Sequence, residues 1–302
     1  MDSGTSGTLI VVGGPTASGK THVAASIAKH FGTAVISADS RQFYRAMRIG
    51  TARPSEDDLL GVQHHFLGHL ELDRTWSAGE FARAAEPLMQ QLLAAHGTAV
   101  LTGGSGLYID ALCNGLDPLP IGDPQVRAEL QQRLDRDGLH ALTEQLKTLD
   151  HAHWALIDRK NPHRVIRALE VCLVSGEPFS AQRKNPGSRA DLRIVRVALD
   201  LPRAELYERI NARVDRMFAD GFVDEARSLL PYRSLNALRT LGYNELFAHF
   251  DNAMDLPTTI ALIKQHSRNY AKRQLTWLRR DPSWAWMAPE MPAMIRTLDA
   301  RL

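Results

Sequence analysis

Leu9-Ile10-Val11-Val12-Gly13-Gly14-Pro15-Thr16-Ala17-Ser18-Gly19-Lys20-Thr21 is the stretch on which the fold turns. Its first four residues are apolar and run into glycine, which predicts a short buried strand. Gly14 to Thr21 then fits G-x-x-x-x-G-K-[ST], and a helical stretch follows from Lys20 to His30. In that setting the loop of Gly14, Pro15, Thr16, Ala17, Ser18, Gly19, Lys20 and Thr21 is expected to cradle the phosphates of a ligand such as ATP. Backbone N–H groups and the helix amino end attract the anion, Lys20 adds a point charge, and the Thr21 hydroxyl takes a Mg2+ ligand position. A glycine turn beside a surface lysine is the plainer alternative, and the strand before it and the helix after it argue against that.

Working outward, residues 33–37 predict a second buried strand. Thr98 to Leu101 predict a third, preceded by a helix from Ala78 to Ala95. Strands that alternate with helices imply an α/β fold, a parallel sheet with helices on both faces. Leu116 to Pro124 is a turn-rich linker, and from Gln125 to about Gly176 only helical patterns occur. A loop at Lys184 to Arg189 precedes renewed strand character at Leu192 to Leu199. The expected organisation is a sheet domain of residues 1–116 and 191–302, interrupted by a helical insertion at 117–190. A helix from Pro202 to Asp220, with proline in its first turn, carries an apolar stripe of Leu206, Ile210, Val214 and Met217. A long helix from Thr258 to Arg279 places Lys264, Arg268 and Lys272 on one face, four residues apart. Trp284 and Trp286, two apart, read as core packing on one face of a last strand.

The 302 residues are 44% hydrophobic and 23% charged, which excludes a disordered, collagenous or disulfide-scaffold chain. No apolar run approaches a membrane span. Met1 to Gly7 lacks the basic start and apolar stretch of a signal peptide. Cys113 and Cys172 match no metal motif and read as reduced, buried thiols of a cytoplasmic protein. The adjacent His64 and His65 would point to opposite faces of a strand, which argues against a shared metal. Net charge is +2, but residues 1–150 carry 12 Lys+Arg against 17 Asp+Glu, and residues 151–302 carry 24 against 17. Six basic and no acidic residues fall between Lys264 and Arg280. A basic second half suggests a polyanionic partner. Arginine replacing lysine on solvated faces under compositional bias is the alternative.

A phosphate cradle does not name a reaction. An ordinary nucleotide-hydrolysing enzyme ends another strand in an acid that holds the magnesium water. Here the third strand ends in Thr102-Gly103-Gly104. The acid appears instead as Asp39, past the second strand, where the open end of a parallel sheet binds ligands. A helix cap ahead of Ser40 and Arg41 is the alternative role for Asp39.

Taken together, Gly14 to Thr21, Ser37-Ala-Asp-Ser-Arg-Gln42, Ile49-Gly-Thr-Ala-Arg-Pro54, Gly103-Gly-Ser-Gly-Leu-Tyr108, Asp123-Pro-Gln-Val-Arg127, Asn161 to Glu170, Leu241-Gly-Tyr243 and Lys272 to Arg279 resemble the tRNA dimethylallyltransferase family, in its bacterial form. The resemblance covers nearly the whole chain. Ser105 stands where threonine is usual and keeps the hydroxyl, and Arg53 stands where lysine is common and keeps the charge. The resemblance implies a P-loop NTPase-like parallel sheet flanked by helices, with an inserted helical domain. It implies transfer of a five-carbon prenyl group from dimethylallyl diphosphate, with Mg2+, to adenine 37 in the anticodon stem-loop of tRNA, by a monomeric enzyme.

By the same resemblance Asp39 is the general base. Thr16 positions the diphosphate, and Arg213 meets it from across the crevice. Asp39, Ser40, Arg41, Gln42, Ser105, Arg127, His163, Arg164, Val165, Ile166, Arg167, Arg239, Gly242, Tyr243, Lys272, Arg273, Gln274 and Arg279 are implied to contact tRNA. Three other readings stand beside this one: a P-loop small-molecule kinase with Asp39 as base, a noncatalytic P-loop RNA-binding module, and a prenyltransferase acting on free adenine nucleotides.

Overall fold

The computed structural model describes residues 7–117, 119–184, 189 and 192–301. The expectations for residues 1–6, for 185–188 in the second loop, and for 190 and 191 at the insertion boundary fall outside these. The chain divides into two compact units, Met1–Cys113 with Arg189–Leu302, and Asn114–Ser188.

The first unit is built on a six-stranded sheet. Strand β1 (Thr8–Gly13) leads through the phosphate loop into α1 (Lys20–His30), and β2 (Val35–Ser37), β3 (His64–His65), α2 (Ala78–His96), β4 (Thr98–Thr102) and α3 (Gly106–Asn114) follow. The second unit holds α4 (Pro124–Leu149), α5 (His151–Leu156), α6 (Pro162–Ser175) and α7 (Phe179–Gln182). The chain then completes the first unit with β5 (Arg193–Leu199), α8 (Arg203–Ala219), α9 (Phe222–Leu229), α10 (Tyr243–Phe250), α11 (Leu256–Leu278), β6 (Ala285–Met287) and α12 (Met291–Asp299). Strand order is β3-β2-β4-β1-β5-β6, and every pairing is parallel.

Period-two alternation in β1 sends its side chains into two cores. Leu9 and Val11 pack with Ile36, Leu101, Phe81 and Met89 on one face. Ile10 and Val12 pack with Val23, Ile27, Met294 and Leu298 on the other. All four are fully buried, and each such side chain contributes about 1.5–3 kcal/mol. A central strand flanked by β4 and β5 therefore fixes where the phosphate loop emerges. Helix starts follow local chemistry. Ser77 and Glu80 form a capping box on α2, and Asp255 caps α11 ahead of Pro257.

One helix start departs from expectation. Pro202 precedes α8 as its cap, outside the first turn. The paired histidines form the short edge strand β3, joined to β2. As expected, Trp284 is buried in the core and Trp286 packs partly buried against it, beneath the Arg279 guanidinium, 5.6 Å from its ring. Cys113 and Cys172 are both free and buried.

The insertion has its own core, in which Leu130, Leu142 and Leu146 of α4 meet Val165, Leu169 and Cys172 of α6. Helix α4 is interrupted at Gly138, whose backbone is left-handed (φ +78°).

Candidate active site

The carboxyl ends of β1, β2 and β4 bring three loops together. From β1 comes the phosphate loop. Its Gly19 has φ +88°, a conformation that glycine adopts without Cβ strain and that aims the first turn of α1 back at the loop. The Ser18 N–H donates to the Pro15 carbonyl at 3.2 Å, which closes the turn. The buried Ser18 Oγ has no partner among the described protein groups.

Asp39 follows β2, and Gly103 and Gly104 follow β4. A Cβ on Gly103 would lie 2.3 Å from the Ala38 carbonyl oxygen, so only glycine lets the two strand ends approach this closely. A Cβ on Gly104 would lie 3.0 Å from Asp39 Oδ2 and 2.9 Å from Gln274 Nε2, which places both side chains beside that backbone. Ser105 then receives the Ser40 N–H at 3.0 Å and donates to Ser40 Oγ at 3.0 Å, tying the β4 loop to the segment after Asp39.

Across the crevice stand α8 and α11. Leu206 and Ile210 of the expected stripe pack against Ala271 and set the two helices side by side. Arg213 on α8 and Tyr270 on α11 both feel the charge of Asp39. Burial lowers the Lys20 ammonium to about 8, Asp39 opposes that shift, and Arg213 adds to it. Burial likewise lowers the Arg213 guanidinium, against Asp39 and Tyr270. Burial pushes the Tyr270 hydroxyl up to about 12, with Asp39 adding to the rise. Two half-buried cations face one carboxylate. That imbalance suits a bound polyanion, whose charge would offset the desolvation of both.

Gln274 joins the helix to the loops. Its Oε1 accepts the Thr16 N–H at 2.7 Å, and its Nε2 donates to the Gly104 carbonyl at 3.0 Å. Tyr270, one turn earlier, donates to the same carbonyl at 3.2 Å. Beside them Gly13, Gly14, Gly103 and Gly104 line a narrow cleft with Ile109, Trp277 and Leu278.

The geometry revises several expectations for RNA contact. Tyr243 is fully buried and donates its hydroxyl to Glu225 at 2.6 Å, and Gly242 is buried beside it against Phe222. Val165 and Ile166 are core residues of the insertion. Gln274 is buried and braces the phosphate loop, so these five residues serve the scaffold. The Arg41 guanidinium donates to the Asn236 and Ala237 carbonyls at 3.1 Å, and Gln42 donates to the Thr51 and Ala52 carbonyls. Both are committed to local architecture. Arg239, Lys272, Arg273 and Arg279 are exposed on the first unit, as are Arg127, His163 and Arg164 on the insertion, where Arg167 is half-buried. Thr16 is buried inside the phosphate loop.

Sequence reasoning missed Tyr270 and the bracing role of Gln274. Their four-residue spacing was the available signal.

A magnesium ion fits the loop on donor chemistry. Thr21 offers a hydroxyl at the first turn of α1. A hard cation takes such oxygen donors with phosphate oxygens completing its shell. Among the described residues no group of three or more His, Cys, Asp or Glu could hold a metal unaided.

The IPP transferase family model matches residues 42–281. The chain belongs to the IPP transferase family. It is 45% identical over 278 residues to the tRNA dimethylallyltransferase of Christiangramia forsetii, covering 92% of each chain. It is 43% identical to tRNA dimethylallyltransferase 1 of Bacteroides thetaiotaomicron, covering 95% of this chain and 94% of that one. The crystal structure of full-length tRNA isopentenylpyrophosphate transferase from Bacillus halodurans superposes with a TM-score of 0.70 at 33% identity, covering 96% and 94%. A eukaryotic dimethylallyltransferase acting on tRNA shares the fold at 20% identity, with a TM-score of 0.78 and coverage of 95% and 75%. The parallel sheet with its phosphate loop is thus the architecture of this family.

Proposed function

We propose that this chain is a tRNA dimethylallyltransferase. It transfers the dimethylallyl group of dimethylallyl diphosphate to the exocyclic amine of adenosine 37 in the anticodon stem-loop, acting as a cytoplasmic monomer. The observation that carries the reading is the crevice in which the phosphate loop, Lys20 and Arg213 face a single carboxylate, Asp39. The loop N–H groups and both cations hold the diphosphate. Ile109, Trp277 and Leu278 pack beside the glycine backbone at the floor of this crevice.

In the reaction the allylic carbon–oxygen bond breaks and a bond from that carbon to the adenine nitrogen forms. The electron pair of the broken bond leaves with diphosphate, and the amine proton passes to Asp39. Mg2+, held by Thr21 and phosphate oxygens, would supply further charge neutralisation to the leaving group. The adenine must leave its stack to reach Asp39, which costs a few kcal/mol. Exposed Arg239, Lys272, Arg273 and Arg279, with exposed Arg127, His163 and Arg164 and half-buried Arg167 on the insertion, grip the RNA backbone, with Ser40 and Ser105 near the entering base. No helix among the described residues is long and apolar enough to cross a membrane.

The test is to incubate the protein with Mg2+, labelled dimethylallyl diphosphate and unmodified tRNA, then digest the RNA. Labelled N6-dimethylallyladenosine from position 37 is expected. ATP turnover on a small acceptor, with no label in RNA, would replace this reading with the kinase.

A further inference from the structure

The insertion carries a buried carboxylate that the chemistry above does not use. Glu170 on α6 is fully buried, whereas the arginines that bind it reach the surface. Arg127 and Arg167 each donate to the same oxygen, Glu170 Oε2, at 2.7 Å. Their side chains are 57% and 34% exposed. Glu170 Oε1 has no hydrogen-bond partner among the described protein groups. The Arg167 guanidinium also donates to the Pro120 carbonyl at 2.9 Å. Gly122 closes over the group, since a Cβ there would lie 2.9 Å from both Arg127 and Glu170 Oε1.

Burying a carboxylate is expensive, and one charge-assisted partner would suffice to keep it paired. Two arginines on one oxygen leave a net positive charge at the surface. Arg127 spends one of its five N–H donors on Glu170 and keeps most of the fork free. A surface arginine ordinarily loses rotamer freedom when it grips an anion. Anchored from below, these two present their free donors already oriented. A planar fork in fixed orientation suits a phosphate group, which takes two parallel N–H bonds.

We infer that Glu170 is a positioning residue that holds Arg127 and Arg167 as a preformed site for an RNA backbone phosphate. The inference rests on the reading of tRNA as substrate.

The decisive variant is Glu170→Gln, because two models predict opposite signs. If the arginines act only as charges, removing a negative charge strengthens RNA binding and steepens its salt dependence. If Glu170 orients them, the variant weakens binding by about tenfold, the scale of one charge-assisted hydrogen bond. The log–log salt slope then falls by about 0.7–0.9, the value of one lost phosphate contact. Equilibrium binding of unmodified tRNA to the full-length protein, without prenyl substrate, gives both quantities. Glu129→Gln, an exposed site on α4, controls for the change in charge.

Should Glu170→Gln fail to fold, Arg127→Lys keeps the charge against Glu170 and removes the fork. The same direction of affinity loss is expected, and wild-type affinity in that variant overturns the inference. Equal or tighter binding by folded Glu170→Gln also overturns it. Absence of tRNA binding by the wild-type protein would instead overturn the functional reading itself.

Discussion

Asp39 accepts the Arg41 backbone N–H through Oδ1 at 3.2 Å, while Oδ2 lies beside Gly104 at the mouth of the crevice. One oxygen is anchored, and in the proposed reaction the other takes the amine proton. Asp39→Asn preserves size and the anchoring bond and removes proton acceptance. Single-turnover rates at saturating tRNA should fall about 10²- to 10⁴-fold, the usual value of general base catalysis. A loss under tenfold, or full rescue by added magnesium, would assign Asp39 another role. Lys20 makes a second claim at this scale. Burial holds its ammonium at about 8 in the free protein, and a bound diphosphate would raise it again. The charged form binds the anion. Affinity should therefore be level below pH 8 and weaken above it, by up to about tenfold per pH unit while one proton must be taken up on binding. Calorimetric titration with dimethylallyl diphosphate from pH 7.5 to 9.5, where the ligand stays fully ionised, measures this, and Lys20→Arg should remove the dependence.

At the scale of elements, α11 shows why spacing alone misassigns a face. Lys264, Arg268 and Lys272 share a stripe, which at first suggests one RNA-binding surface. The structure instead pairs Lys264 with Asp215 at 2.6 Å and Arg268 with Asn211 at 2.7 Å, so both join α11 to α8. Lys264→Ala and Arg268→Ala should each reduce stability by about 1 kcal/mol or less and leave the salt slope of tRNA binding nearly unchanged. Replacing exposed Lys272, Arg273 or Arg279 by alanine should lower that slope by about 0.7–0.9 each. Denaturant titrations beside salt-dependent binding separate the two groups. Elements with a strong local signature were legible in advance: β1 through its apolar run, α1 through the loop motif, α8 through its stripe. Others were not. The break at Gly138 hides because a helical pattern tolerates an isolated glycine. The candidate site could be drawn from sequence where a motif is contiguous, at residues 14–21 and at Asp39, which the structure places at the carboxyl ends of β1 and β2. It was illegible where partners are distant, as in the Gln274 bond to Thr16 across 258 positions or the burial of Tyr243 against Glu225.

For the whole molecule, the division into units separates the two tasks of the proposed reaction. Every side chain assigned to the diphosphate, from the phosphate loop to Arg213, lies in the sheet unit, and the Glu170 cluster lies in the insertion. The hydrophobic clusters of the sheet unit draw on no described insertion residue, and the insertion core draws on none from the sheet. The two points at which the chain leaves and re-enters the sheet unit are near each other, since Cys113 lies within electrostatic reach of Arg189, which is itself ion-paired to Glu86. A short Gly/Ser linker in place of residues 114–188 should therefore close the gap at little entropic cost. The shortened protein should fold cooperatively and bind diphosphate within about threefold of the full chain, because its loop, Lys20 and Arg213 keep their surroundings. It should bind tRNA with a shallower salt dependence, having lost the contacts of Arg127, His163, Arg164 and Arg167, and the slope should fall by about 0.7–0.9 for each phosphate released. Thermal unfolding, diphosphate calorimetry and tRNA binding between low and moderate salt test the three statements together. Loss of diphosphate binding in a protein that still melts cooperatively would mean that the insertion completes the crevice, and the assignment of the diphosphate site to the sheet unit alone would fall.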